Sequence, residues 1–204
     1  SMKVYQIPEG PMQNFSYIVE DESTHEAIVI DPSCDLEKLI EIINEQNLNP
    51  KYIINTHWHD DHTRGNEDLA KELSVKIVQH SASQLKNDLT VSDGDSIKFG
   101  CSELAVYHTP GHSKDGICLV GDGKIFSGDT LFVGNCGRID LPGGSAKELY
   151  HGLFDVIANL SDDLVLYPGH DYGSSPTSTI GSEKRTNFVM QKVSEAEFVE
   201  RMGG

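Results

Sequence analysis

Long apolar runs are missing from this chain of 204 residues. No stretch approaches the roughly 20 apolar residues that a membrane-spanning helix needs. The opening SMKVYQIPEG has no basic region followed by an apolar segment, the mark of a secretory signal. The expectation is a cytoplasmic protein with no membrane partner. Cysteine is sparse as well: Cys34, Cys101, Cys118 and Cys136 lie far apart with no Cys-x-x-Cys pair. That excludes a zinc knuckle and a vicinal redox dithiol, and it predicts reduced thiols in a reducing compartment. Positive charge is short too, with 16 Lys and Arg against 32 Asp and Glu, a formal net charge of -16. Nucleic acid is held by clustered cations, and here they are scattered, so no nucleic-acid partner is expected. Repeats, low-complexity tracts and linkers are also absent, and the length suits one well-buried core. A single domain over residues 1–204 follows.

What is present is apolar alternation in short runs. It predicts strands over residues 17–19, 27–30, 52–54, 75–78, 96–99, 104–107, 117–120, 124–126 and 164–167. Helical periodicity appears over 36–43, 66–73, 146–157 and 194–202. Ser194 stands three residues before Glu197, a capping-box spacing that marks the start of the last helix. Groups of strands broken by helices predict a layered α/β protein.

The chemistry gathers at the ends of four of these strands. Residues 52–54 run into Asn55-Thr56 and then His57-Trp58-His59-Asp60-Asp61-His62. In extended chain, residues two apart share a face, so His57 and His59 point the same way while a turn brings Asp61 and His62 to a neighbouring position. Strand 104–107 leads to Thr109-Pro110-Gly111-His112, strand 124–126 to Ser127-Gly128-Asp129, and strand 164–167 to Pro168-Gly169-His170. Taken singly, Thr-Pro-Gly-His or Gly-Asp is an ordinary turn. Taken together, they aim neutral imidazoles and carboxylates at one place, the donor set that Zn, Fe and Mn accept, with glycine allowing the backbone to come close. A structural metal site closes with four ligands, whereas this constellation offers seven.

The His-x-His-x-Asp-His run, followed by His112, Asp129 and His170 in that order, resembles the metallo-β-lactamase superfamily over nearly the whole chain. The resemblance implies a four-layer αββα sandwich with metals at one edge of paired sheets. It also implies that His57, His59 and His112 hold a first metal, Asp61, His62 and His170 a second, and that Asp129 bridges them. Asn135 to Gly144, Tyr167 to Gly173, Ser178-Thr179-Ile180 and Glu183 to Asn187 further resemble the glyoxalase II-like hydrolases and the persulfide dioxygenases. In relatives that use glutathione, residues matching Arg138 and Tyr172 help hold the thiol-bearing substrate. Arg138 has a second reading, a plain ion pair with Asp140, and Tyr172 a second one as a packing residue. His25, His80, His108 and His151 lack the turn context and read as surface or core residues, and Cys136 as a small buried residue.

The expected activity is hydrolysis of a small thiol-derived thioester by a water activated between two divalent ions, zinc first, with iron or manganese as alternatives. Asp61 would orient the attacking water. The alternative is a persulfide dioxygenase with a single Fe(II) on the triad His57, His112 and Asp129. A metal-stabilised binding module without catalysis is the third reading.

Overall fold

The computed structural model describes residues 1–203. Two six-stranded sheets face each other. The first has the order β1 (Met2–Glu9), β2 (Asn14–Asp21), β3 (Glu26–Ile30), β4 (Asn49–Ile54), β5 (Lys76–His80) and β6 (Leu89–Val91). Antiparallel pairing links β1 to β3, and parallel pairing links β3 to β6. The second sheet runs β7 (Ser96–Phe99), β8 (Ser102–His108), β9 (Ile117–Gly121), β10 (Lys124–Gly128), β11 (Val165–Pro168) and β12 (Ser178–Thr179). Within it only β10 and β11 are parallel.

Alternation sorts each strand's side chains between two layers. In β2, Phe15, Tyr17 and Val19 join Ile28, Ile30, Ile97, Leu104, Leu119 and Phe126 in the core between the sheets. Ile18, facing the other way, packs with Val29, Ile53 and Ile77 under Leu39 and Ile43 of α1 (Leu36–Glu45) and Leu69 of α3 (Asn66–Leu73). On the far side, Cys118, Ile125 and Leu166 meet Leu149 and Leu153, Ile180 of α5 (Ile180–Thr186) and Phe198 of α6 (Glu195–Arg201). Helix, sheet, sheet, helix is the expected four-layer αββα sandwich. Each fully buried aliphatic side chain in these layers contributes on the order of 2 kcal/mol.

All nine strands expected from the sequence are present. Three more are not visible in the sequence: β1, β6 and β12 lie at sheet edges, and β6 and β12 are only three and two residues long, whereas the fourth edge strand, β7, keeps a clean alternation of buried and exposed residues. The expected capping of the last helix is formed, with Ser194 Oγ accepting from Glu197 N at 3.2 Å. The helix expected over 146–157 is interrupted: α4 (Ala146–His151) continues as a wider π turn over Gly152–Val156 and a 3-10 turn over Ile157–Asn159. The change begins at Gly152, a poor helix former. A short α2 (Asp60–Thr63) carries the second half of the histidine run. All four cysteines are free thiols. Among the described residues no helix is long and apolar enough to cross a membrane.

Candidate metal centre

The four chain segments that carry the predicted ligands leave β4 in one sheet and β8, β10 and β11 in the other, and they converge where the two sheets share an edge. All seven side chains meet there. Their donor atoms form three overlapping groups, His57 with His59 and His112, His57 with His62 and Asp129, and Asp61 with His62 and His170, each lying within 4.8 Å. Asp129 stands between the halves. Its Oδ2 is 3.2 Å from His112 Nε2, 3.2 Å from His170 Nε2 and 3.6 Å from His57 Nε2, while Oδ1 is 3.2 Å from His62 Nε2. Asp61 Oδ2 lies 3.3 Å from both His62 Nε2 and His170 Nε2.

Glycine earns its place twice in the turns before the ligands. Gly128 has φ +54°, a left-handed conformation that lets the chain turn directly into Asp129. Gly169 needs space instead, since a Cβ there would stand 2.4 Å from Asp129 Oδ1.

The imidazoles are aimed by partners outside the cluster. His62 Nδ1 lies 2.9 Å from Asp31 Oδ2, His112 Nδ1 donates to Arg138 O at 2.7 Å, and His170 Nδ1 donates to Met12 O at 2.9 Å. His57 Nδ1 meets Thr56 Oγ1 at 3.1 Å, and that hydroxyl in turn donates to Asp31 Oδ2 at 2.6 Å. With Nδ1–H directed outward, each of these rings turns its Nε2 to the centre, the arrangement that fixes a ligand's tautomer. His59 is reversed, with Nδ1 facing His112 Nε2 at 3.1 Å. Asn14 Nδ2 donates to Asp61 Oδ2 at 3.0 Å and holds that carboxylate in place. Asn55 Nδ2 anchors the run from below through His62 O.

Electrostatics divide the cluster. Burial, reinforced by the neighbouring His62, presses His57 well below the ordinary imidazole range, and burial with His112 brings His59 down to about 4. Burial also works against a charge on His170, but hydrogen bonds to Asp129 and Asp61 outweigh it and raise that ring to about 9. For Asp129 and Asp61 burial favours the neutral acid, and the facing histidines overcome it and keep both ionised. Two atoms at the heart of the cluster, His57 Nε2 and Asp129 Oδ1, are buried with no hydrogen-bond partner. An unpaired buried group costs about 1–3 kcal/mol, so ionised carboxylates and lone pairs converging this way fit divalent cations.

Asp31, Thr56 and Asn14 hydrogen-bond to the clustered side chains, and sequence reasoning misses them. Asp31 had a signal, since Ile28-Val29-Ile30 runs straight into it and Pro32 follows, the same strand-then-turn pattern as at the ligands. Its φ of +53° is a left-handed conformation that Asp tolerates better than most residues, and such strain gathers at functional sites. Asp31→Asn is therefore expected to weaken metal binding. An amide that still accepts from Thr56 N turns its NH2 toward His62 Nδ1, favouring the tautomer whose lone pair points away from the centre. A loss of about 10–100-fold in zinc affinity by competition titration, with little change in the melt of the metal-free protein, is the expected outcome.

Above the cluster opens a cleft of about 440 Å³ whose lining includes both predicted substrate residues. Tyr172 lies flat on His170, centroids 4.5 Å apart and planes at 9°, with Phe132 edge-on at 5.4 Å. Burial and then the charge of Asp129 raise its phenol, so the hydroxyl stays protonated at neutral pH. Arg138 makes the ion pair the sequence allowed for, Nε to Asp140 Oδ1 at 2.5 Å and Nη2 to Oδ2 at 2.8 Å, exposed at the rim. The wall between them is pinned from behind. Buried Glu183 accepts from Gly134 N at 2.8 Å, and Asn187 Nδ2 donates to Phe132 O and Asn135 O. His25, His80, His108 and His151 lie outside the cluster, as expected.

Comparison with known proteins agrees with this geometry. The chain is 36% identical to the human mitochondrial persulfide dioxygenase ETHE1 over 193 residues, covering 93% of this chain and 76% of that protein. It is 33% identical over 204 residues to the hydroxyacylglutathione hydrolase of Tolumonas auensis, covering 97% and 78%. The crystal structure of ETHE1 from Myxococcus xanthus superposes with a TM-score of 0.94 at 30% identity, over 99% of this chain and 90% of that one. The profile of the metallo-β-lactamase superfamily matches residues 10–84 and 79–170. Since those matches run from the first turn through to His170 and take in every one of the seven clustered side chains, the chain belongs to the metallo-β-lactamase superfamily of enzymes.

Proposed function

We propose that this protein is a metal-dependent hydrolase that cleaves a small thioester. The observation that carries the reading is Asp129, whose two oxygens face the imidazoles of both halves of the cluster. Such a shared carboxylate suits a pair of divalent ions, with His57, His59 and His112 on one and Asp61, His62 and His170 on the other. Zinc comes first by donor chemistry, with iron or manganese next. Bound there, the ions would lower the pKa of water toward about 7 and stabilise negative charge on an acyl oxygen.

The protein's own part is positioning. Asp61, fixed by Asn14 and half-buried in the cleft's lining, would accept a hydrogen bond from the attacking water and so orient the water's lone pair toward the acyl carbon. Tyr172 and Phe132 give the acyl or carrier portion a flat wall beside His170. Beyond the ionised Asp61 and Asp129 the cleft's lining holds no Asp or Glu, which suits a thiolate leaving group that departs without a carboxylic acid's proton. Four free thiols agree with work in a reducing, cytoplasmic setting.

A second reading keeps the fold and changes the reaction. The likeness to proteins named persulfide dioxygenase supports it, as does the grouping of His57, His112 and Asp129, a 2-His-1-carboxylate set that suits one Fe(II). The two readings part on oxygen. The zinc- or manganese-loaded protein should cleave an S-lactoyl thiol without O₂. Failure with every thioester, together with O₂ uptake by the iron-loaded protein on a thiol persulfide, would replace the hydrolase with the dioxygenase.

A further inference from the structure

The cleft over the metal cluster carries an uneven mix of surface. Among the described residues six large hydrophobic side chains are exposed, and three of them, Met12 at 49%, Leu141 at 36% and Tyr172 at 50%, line this one cleft. A single exposed apolar side chain is ordinary. Half of the complement on the rim of one opening is surface kept apolar for contact. Charge is distributed in the opposite sense. Arg138 is the one Lys or Arg among the lining residues, and its Nε–Nη2 edge is engaged by Asp140. The lining's own carboxylates, Asp61 and Asp129, belong to the metal cluster, and the whole chain carries a net charge of -16.

We propose that this cleft selects substrates built on an uncharged, partly apolar thiol, one bearing alkyl or amide groups, over carriers with paired carboxylates such as glutathione. The proposal names the substrate class for the site described above and rests on the reading that the site acts on a thiol-derived substrate. Glutathione brings two carboxylates and an ammonium. Each carboxylate taken from water needs a charged or multiply donating partner, and the lining's one guanidinium has its Nε–Nη2 edge and its charge already shared with Asp140, too little for two carboxylates. An amide-bearing thiol asks less. Met12 and Leu141 can cover its methylenes, and the Tyr172 hydroxyl, in the same lining, can donate to an amide carbonyl.

The test is equilibrium binding of two thioethers that neither reading can turn over, S-hexyl-N-acetylcysteamine and S-hexylglutathione, measured by calorimetry on the zinc-loaded protein. The neutral thioether should bind at least about tenfold tighter, the equivalent of one charged hydrogen bond left unmade. Met12→Ser and Leu141→Ser should each weaken the neutral thioether several-fold while metal content holds. Asp140→Asn, which frees Arg138, should tighten only the glutathione thioether, by up to about fivefold, the worth of an exposed ion pair. Equal or tighter binding of S-hexylglutathione by the unaltered protein would overturn the proposal. So would the absence of binding by either thioether. Tight binding of the neutral thioether without turnover of any thioester or persulfide would sustain it while removing the reading of the reaction.

Discussion

Replacing Asp129 by alanine is expected to strip more metal from the protein than replacing His170, and to bring turnover down to background. His170 faces only one half of the cluster, its Nε2 lying beside His62 at 3.2 Å, Asp61 at 3.3 Å and Asp129 at 3.2 Å. Asp129 reaches His57, His62, His112 and His170 at once, so its loss removes a ligand and a neutralising charge from both halves. With about two ions in the unaltered protein, His170→Ala should keep close to one and Asp129→Ala well under one. Asp129→Asn provides the control for packing, because it keeps the volume and loses the charge. Retention of full metal and activity by Asp129→Ala would show that the carboxylate is not shared.

Chelation is expected to cost the fold a large part of its stability. Seven polar side chains, most of them buried, are turned toward one another at the shared edge of both sheets, and two of their atoms have no hydrogen-bond partner. An ion that binds only the folded state adds about 4 kcal/mol when free metal exceeds Kd a thousandfold. For a chain of this size each kcal/mol moves Tm by about 2–4 °C, so removal should lower Tm by roughly 10 °C. Restoring zinc should restore the melt. The same melt on Asp129→Ala should be nearly blind to chelator, because the ion it would lose is already gone. An unaltered protein whose Tm ignored chelator would contradict a tightly held metal.

The residues that cluster could be read from the sequence because they follow strand ends in four segments, three of them through a Gly-containing turn, a local arrangement that survives without tertiary knowledge. What aims the ligands could not be read so easily. Asp31 lies 31 residues before His62, and only the pairing of β3 with β4 brings it beside Thr56. Asn14 reaches Asp61 through the start of β2, with nothing in its neighbours to mark it. The longer strands were legible through their apolar runs or alternation, as at β3 and the edge strand β7, whereas β6 and β12 have only three and two residues on open edges. Arg138 shows a different limit. Spacing brought it to the cleft, but whether its partner is Asp140 or a ligand is a matter of side-chain geometry two residues away.

The central claim, that these seven side chains make one centre for two ions sharing Asp129, is tested most directly by titrating the chelator-stripped protein with zinc in a calorimeter. Saturation at about two equivalents per chain, falling well below one in Asp129→Ala, is the result the geometry predicts. Saturation at a single equivalent would contradict the shared centre and favour the one-iron reading, and absence of specific binding would contradict the metal centre itself.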